Sequence, residues 1–544
     1  MTAQNSSLPQ RQGVKRFLLR FQQSENPFFT RVALVIALLG LVVRTAVVVL
    51  AGNRPVGQFS GVGDQVRYLT LADSIFQGNG FTYAGQSTAL RPPLYPLLLA
   101  TFHTAFGSHY LLAMRIFQFL IGIAVAYVCL LLAEKLFGIE AGVIAGAIAL
   151  TLPSLVFISA ELQTEQLAAF LIILFLFSLL GGITGKKNGA VVMGITSGIA
   201  SLIRFNCAIL PIIGAIGCLW PRRSLKNALV VCFVAGLIVA PWIVRNARVF
   251  HGAVLYSSHG GINLLEGVLT PEGRAQKGES ERVRAVVGWL HTDIELNDAH
   301  RLRFPSEDKL DKQARAAAIE AWKNLDWKSR LQVLTRKVAS FWLSTDQFFE
   351  TSSFSPAQRT LRASGVFAYW IVLALALVGW LNLLSSSKVT ASVIAFYAFF
   401  VTAAHLPFVM NTRLRVPFID PLLAVLAGGG FCFLICVYQH RRGIYGQNPA
   451  LISNLMQQET CGERRLRAER SGFVDAGHPD ETRLDYQTFH YEHPEGNAEV
   501  HAGGNQKSGA GAEGDEEFRA QNDQATVRTE SVLGLTLFHA THKR

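Results

Sequence analysis

Apolar runs approaching the ~20 residues needed to cross a bilayer recur from Val32 to Tyr438, and this repetition restricts the fold more than any other feature. Half of the residues are hydrophobic and only 16% are charged. The fold class expected is an all-α polytopic membrane protein with about ten transmembrane helices. A formal charge of +12 would suggest a nucleic-acid partner in a soluble chain, but Lys and Arg at cytoplasmic loop ends explain the excess, so no nucleic acid is expected.

The expected spans are Val32–Ala51, Leu111–Ala133, Ala141–Ile158, Leu167–Leu180, Ala190–Leu202, Phe205–Trp220, Ala228–Val244, Gly365–Leu384, Val389–Leu406 and Pro417–Tyr438. Arg11, Lys15, Arg16, Arg20 and Arg31 place the N-terminal segment 1–31 in the cytoplasm, and the first span reads as retained rather than cleaved. The membrane domain covers 32–244, with an outer loop at 52–110. An outer, mainly helical domain follows at 245–361, then C-terminal membrane helices at 362–440. The polar tail 441–544 reads as disordered and cytoplasmic. In the outer domain, Ser306–Asn324 and Trp327–Phe341 have helical patterning, the second with Leu331, Leu334, Val338 and Phe341 on a face able to pack on the membrane body.

Chemistry concentrates in the outer loop. Asp64 to Gln77 reads as an interfacial helix stopped by Gly78 and Gly80, with Asp64 as its N-cap. Arg67 and Tyr68 share the Asp64 face at i+3 and i+4, whereas Asp73 faces elsewhere and reads as structural. Pro92-Pro93 breaks the chain, and Leu94–Phe106 reads as a second interfacial or re-entrant helix. The segment SAELQTEQ carries Glu161 and Glu165 to the Asp64 side of the membrane, with Glu165 in the first turn of the next span. Either glutamate is open to a second reading as an ordinary interfacial cap.

With this topology Arg67, Arg91, Arg204, Arg245, Arg248, Arg413 and Arg415 all face outward, where no positive bias is required. Single arginines there are explained by snorkelling or ion pairing. Several beside carboxylates favour an anionic substrate, because the guanidinium fork meets phosphate with two charge-assisted hydrogen bonds. Six cysteines fall in apolar runs and Cys461 in the tail, without metal-ligand spacing.

Five stretches resemble the GT-C class of integral-membrane glycosyltransferases, in the branch of the dolichyl-phosphate-mannose-protein mannosyltransferases and the bacterial lipid A aminoarabinose transferase. They are GDQVRYLTLADSIFQGNGF, ALRPPLYPLLLATFHTAFG, SAELQTEQLAAFL, PWIVRNARVFHGAVLYSSHGGINLLEG and NTRLRVPFIDPLLAVLAG. The resemblance implies transfer of a sugar from a polyprenyl-phosphate-linked donor to a lipid, glycan or protein acceptor at the outer face, with inversion. It implies Asp64 as general base or orienting acid and Glu165 as the second carboxylate, with Glu161 the alternative. Arg91 is similar to the residue that meets the donor phosphate. Arg245, Asn246, Arg413 and Arg415 match polar positions near the membrane exit, and Asn263 could line the acceptor side. No cofactor is certain. A divalent metal ion stays open, because Asp64 lacks an adjacent acid and Leu90 stands where the aminoarabinose transferase carries one. The resemblance points to a multi-pass protein of a bacterial inner membrane, with membrane lipids around it and its site facing the periplasm or exterior. A lipid or glycan transporter is the other function class considered. It would spread polar residues through the midplane of several spans rather than gather them at one face.

Overall fold

The computed structural model describes residues 27–53, 62–83, 85–182, 188–220, 223–251, 254, 256–269, 307–344 and 356–441. The chain divides into the units Met1–Ala468 and Glu469–Arg544, and all of the described residues belong to the first. The expected tail 441–544 lies outside the described residues apart from Arg441, as does most of the N-terminal segment.

Among the described residues, six helical stretches are long and apolar enough to cross a membrane: Arg31–Ala51, Leu94–Phe137, Leu225–Val249, Ser364–Ser386, Lys388–His405 and Thr412–Gln439. Four shorter apolar helices, Ile139–Thr151, Glu165–Gly181, Gly189–Ile203 and Phe205–Leu219, fill positions where the sequence predicted further spans. Helix α1 (Pro27–Ala51) turns Val35, Leu38, Leu39, Val42, Val49 and Leu50 outward. Such a band is stable against lipid and not against water, so this is an integral membrane protein.

Helix α2 (Val62–Phe76) is followed by a short antiparallel hairpin of β1 (Thr82–Tyr83) and β2 (Gln86–Ser87), and then by α3 (Leu94–Phe106). Asp64 is the third residue of α2 rather than its N-cap, a correction that leaves its carboxylate free for long-range partners. The stretch Leu94–Phe137 is not one straight rod. It breaks at Gly107 (φ +54°), passes through a single 3-10 turn and continues as α4 (Tyr110–Phe137). α3 then folds back on α4: the Tyr95 hydroxyl donates to Gln118 Oε1 at 2.9 Å, and the Phe102 and Phe117 rings lie 5.4 Å apart. A straight helix would separate Tyr95 from Gln118 by ~35 Å, so the left-handed turn at Gly107 makes the hairpin.

The expected span Ala141–Ile158 is split into α5 (Ile139–Thr151) and α6 (Pro153–Phe157). Pro153 cannot donate to the helix before it, which frees carbonyls at the end of α5. Arg44 of α1 satisfies two of them, donating from Nε to Leu150 O at 2.9 Å and from Nη2 to Ala149 O at 2.7 Å. Residues 158–164 then run as buried irregular chain into α7 (Glu165–Gly182). Irregular backbone survives at membrane depth only where protein supplies partners. α4 provides them: Arg115 Nε donates to Ala160 O at 2.8 Å and Gln118 Nε2 to Glu161 O at 2.6 Å.

Helices α8 (Gly189–Ile203), α9 (Leu210–Leu219) and α10 (Leu225–Val249) follow, then α11 (Gly260–Leu269), α12 (Glu307–Asn324) and α13 (Trp327–Leu343). The face predicted to pack on α13 is corrected in part: Phe341 is buried as expected and Leu334 is half-buried. Val333, Lys337 and Phe341 point inward, while Leu331 and Val338 are exposed. Lys337 Nζ donates to Leu406 O at 2.6 Å, so a polar contact turns this helix about its axis and overrides the apolar pattern. α14 (Pro356–Ser386), α15 (Lys388–His405) and α16 (Thr412–Arg441) complete the bundle. α14 and α16 cross at Gly379 and Gly430, where an added Cβ would strike the carbonyls of Leu426 and Leu375. Small residues at such crossings let backbones meet where lipid gives helices no hydrophobic reason to associate.

Candidate functional site

The site is assembled from five parts of the chain at one end of the bundle. α2 supplies Asp64 and Arg67, the loop before Pro92 supplies Arg91, the start of α7 supplies Glu165, and the first turn of α16 supplies Arg413. Arg204, between α8 and the 3-10 turn Phe205–Ile209, closes the ring. Asp64 is ion-paired with Arg91, with Arg413 Nη1 at 2.7 Å and with Arg67 Nη1 at 3.7 Å. Glu165 is paired with Arg413 Nε and with Arg204 Nη1 at 2.8 Å. Arg413 thus bridges the two carboxylates. The second ring arginine is oriented by a further contact, Arg204 Nη1 to Thr164 Oγ1 at 2.8 Å.

Exposure separates the two acids. The side chains of Asp64 and Arg413 are 26% and 27% exposed, whereas Glu165 is 1% exposed. Asp64 is therefore within reach of a ligand, and Glu165 forms the floor. Burial alone would raise the Asp64 pKa, but Arg91, then Arg413 and Arg67, outweigh it and hold the carboxyl well below the usual carboxylate range. Four guanidinium groups face two carboxylates here, an excess of two positive charges. Arg91 Nε is buried and has no hydrogen-bond partner among the described residues.

The other predicted site residues lie around this centre rather than in it. Tyr68 packs edge-on against Tyr95 with ring centroids 5.1 Å apart, and the Arg91 guanidinium sits 6.0 Å above the Tyr68 ring. Glu161 accepts from Gln65 Nε2 and so steadies the residue next to Asp64. Arg245 donates to Thr88 O at 2.6 Å and to Phe81 O at 3.2 Å, bracing the β-hairpin, and Asn246 Oδ1 accepts from it at 3.0 Å. Asn263 lies half-buried on α11. Arg415 is turned away into the protein. It is paired with Asp420 at 2.9 Å, donates to Phe341 O and Ser344 O, and lies 4.0 Å from the Tyr369 ring. Asp73 faces His103 at 3.4 Å, apart from the cluster.

The sequence marks Arg204 as an outward arginine without assigning it a role, although it is the one charge between two apolar helices, and that isolation is the signal that points to it. Glu307, Arg115 and Gln118 carry no sequence signal, because their partners are fixed only by the fold. The divalent metal ion left open by the resemblance does not fit these residues. Asp64 and Glu165 both face guanidinium groups, and among the described residues no group of three or more His, Cys, Asp or Glu is placed to hold a metal.

A helical membrane bundle with a compact arginine and carboxylate cluster at one end defines a polytopic membrane protein with a site suited to an anionic ligand. Residues 90–244 match the family described as dolichyl-phosphate-mannose-protein mannosyltransferase. The match takes in Arg91, Glu165 and Arg204; Asp64 and Arg413 lie outside it. No curated protein matches the chain. Among solved structures, the chain is similar to the oligosaccharyltransferase AglB from Archaeoglobus fulgidus, in complex with an inhibitory peptide and a dolichol-phosphate. Identity is 15% and the TM-score 0.45, over 82% of this chain and 56% of that one. It is also similar to ArnT from Cupriavidus metallidurans bound to undecaprenyl phosphate, at 16% identity and a TM-score of 0.34, over 72% of this chain and 77% of that one. The chain thus spans little more than half the length of the archaeal enzyme.

Proposed function

We propose that the protein is a membrane glycosyltransferase that moves a hexosyl or pentosyl group from a polyprenyl-phosphate carrier to a lipid, glycan or protein acceptor. On this reading the Asp64 end of the bundle faces the periplasm or exterior of a bacterial inner membrane. The observation that carries the reading is Arg413 bridging Asp64 and Glu165 inside a cluster with two surplus positive charges. A phosphate monoester carries about −1.5 to −2 at neutral pH, which that surplus offsets. The family match over residues 90–244, whose description names a polyprenyl-phosphate sugar, supports the same donor class.

In the proposed reaction an acceptor hydroxyl or amine held by Asp64 attacks the anomeric carbon from the face opposite the phosphate. The bond from that carbon to the phosphate oxygen breaks with inversion, and its electron pair leaves on the phosphate. Arg91 and Arg413 stabilise the growing negative charge without needing to reorganise. The acceptor proton passes to Asp64. In the resting site Asp64 is a weak base because its arginines hold its pKa down. The donor phosphate draws on the same guanidinium groups, so its arrival raises the basicity of Asp64 when the acceptor needs it. Glu165 holds Arg204 and Arg413 in place from beneath.

The test is transfer from labelled polyprenyl-phosphate sugars by purified wild type, Asp64→Asn and Arg91→Ala. Loss of a general base costs about 10²–10⁴ in rate, and Asp64→Asn should fall in that range. Undiminished transfer by Asp64→Asn would sink its role. No transfer by wild type with any donor and acceptor pair would favour a transporter.

A further inference from the structure

Glu307 is the first residue of α12, yet its carboxylate reaches the loop that carries Arg91. Oε1 accepts the Thr88 hydroxyl at 2.5 Å, and Oε2 accepts the Ala89 N–H at 3.0 Å and the Ser258 hydroxyl at 2.7 Å. The surrounding bonds have the same target. The Ser258 N–H donates to Ala89 O at 3.0 Å, the Ser257 hydroxyl to Leu90 O at 3.2 Å, and Arg245 Nη1 to Thr88 O at 2.6 Å. Leu90 O also accepts from Arg91 Nη1 at 3.4 Å, so the direction of that carbonyl bears on where the guanidinium points.

We propose that Glu307 is a positioning residue for Arg91. By pinning residues 88–90 between the β-hairpin and the segment before α11, it aims the guanidinium at Asp64 and at a donor phosphate. The inference rests on the reading of Arg91 as the group that meets that phosphate. All three hydrogen-bond partners of Glu307 are neutral donors, so its hold on residues 88–90 is mainly hydrogen-bond acceptance, with an added attraction between its charge and the Arg245 guanidinium that bonds Thr88 O. An amide can keep most of this pattern: its oxygen accepts from Ala89 and Ser258, and its NH₂ donates to the Thr88 hydroxyl. The role belongs to donor binding, and acceptor binding should be indifferent to it.

Full-length wild type, Glu307→Gln, Glu307→Ala and Arg91→Ala should be compared by hydrogen exchange of the peptide 85–95, by undecaprenyl phosphate binding and by transfer kinetics. Glu307→Ala is expected to speed exchange at Ala89 and Leu90 and to raise the donor KM about tenfold, the worth of roughly one buried hydrogen bond, with the acceptor KM unchanged. Glu307→Gln should restore both. If Glu307→Ala does not melt cooperatively, Thr88→Val removes the same contact from the other side and carries the same expectation. Faster exchange with an unchanged donor KM overturns the proposal, as does equal damage to donor and acceptor KM. If wild type transfers no sugar, the transferase reading fails on its own and binding decides. Undecaprenyl phosphate affinity weakened in both Glu307→Ala and Arg91→Ala supports the positioning role. Affinity equal to wild type in Glu307→Ala, or no binding by wild type, overturns it.

Discussion

Glu165 shows what a single side chain contributes here. Its carboxylate is buried between Arg204 and Arg413, and removing one partner of a buried ion pair leaves the rest uncompensated. Glu165→Gln should lower stability by about 3 kcal/mol, read as a drop in melting temperature in detergent, since Arg413 keeps Asp64 as a second partner. Asp64 gives a pH prediction of definite sign. Its folded pKa lies below the ordinary 3.8, so the stability it contributes is present above that value and is lost only as pH falls through the folded pKa. The difference in melting temperature between wild type and Asp64→Asn should therefore stay flat from pH 8 to about 4 and shrink below. Asp64, Arg67 and Arg91 were legible in the sequence because they share one loop. The pairing of Glu165 with Arg413 was not, because 248 residues separate them and no local pattern encodes the meeting.

At the scale of elements, three glycines carry unusual weight. Gly107 holds the turn between α3 and α4 at φ +54°, where a side chain costs about 1–3 kcal/mol. Gly379 of α14 and Gly430 of α16 have no room for a methyl group. Gly107→Ala should leave a folded protein with a modestly lower melting temperature. Gly430→Leu should separate α14 from α16 and appear as protease sensitivity in the C-terminal helices. Helix positions were readable from apolar period and Pro or Gly punctuation, and the bounds of α3 match the sequence expectation. The inward face of α13 was legible only at Phe341, since Lys337 turns in to bond the Leu406 carbonyl while Leu331 and Val338 stay exposed.

For the whole molecule, the useful quantity is the distance between the cluster and the opposite end of the bundle. α15 spans 18 residues, ~27 Å of helix, from Lys388 to His405, whose ring bonds Asn206 at 3.0 Å beside Arg204. The turn at 386–388 therefore lies at the far end from the site. In a cysteine-free background, an impermeant maleimide should label Gln86→Cys and Ser386→Cys from opposite sides of the membrane. Labelling of both from one side would refute the arrangement of spans. The sequence indicated a helical membrane body with chemistry at one face. It gave α5 and α7 the same weight as the long spans, because these shorter helices are equally apolar.

Arg44 has a consequence for how the chain is made. An arginine within a bilayer span costs about 2.5–3.5 kcal/mol at insertion when it stands alone. Its relief comes from the carbonyls of Ala149 and Leu150 and from the Ser159 hydroxyl, the first of them 105 residues later in the chain. During synthesis α1 must wait at the insertion machinery, or sit poorly in lipid, until α5 has emerged to receive it. α1 is thus finished only after α5 has been made, and a chain that stops before residue 149 would carry Arg44 without these partners.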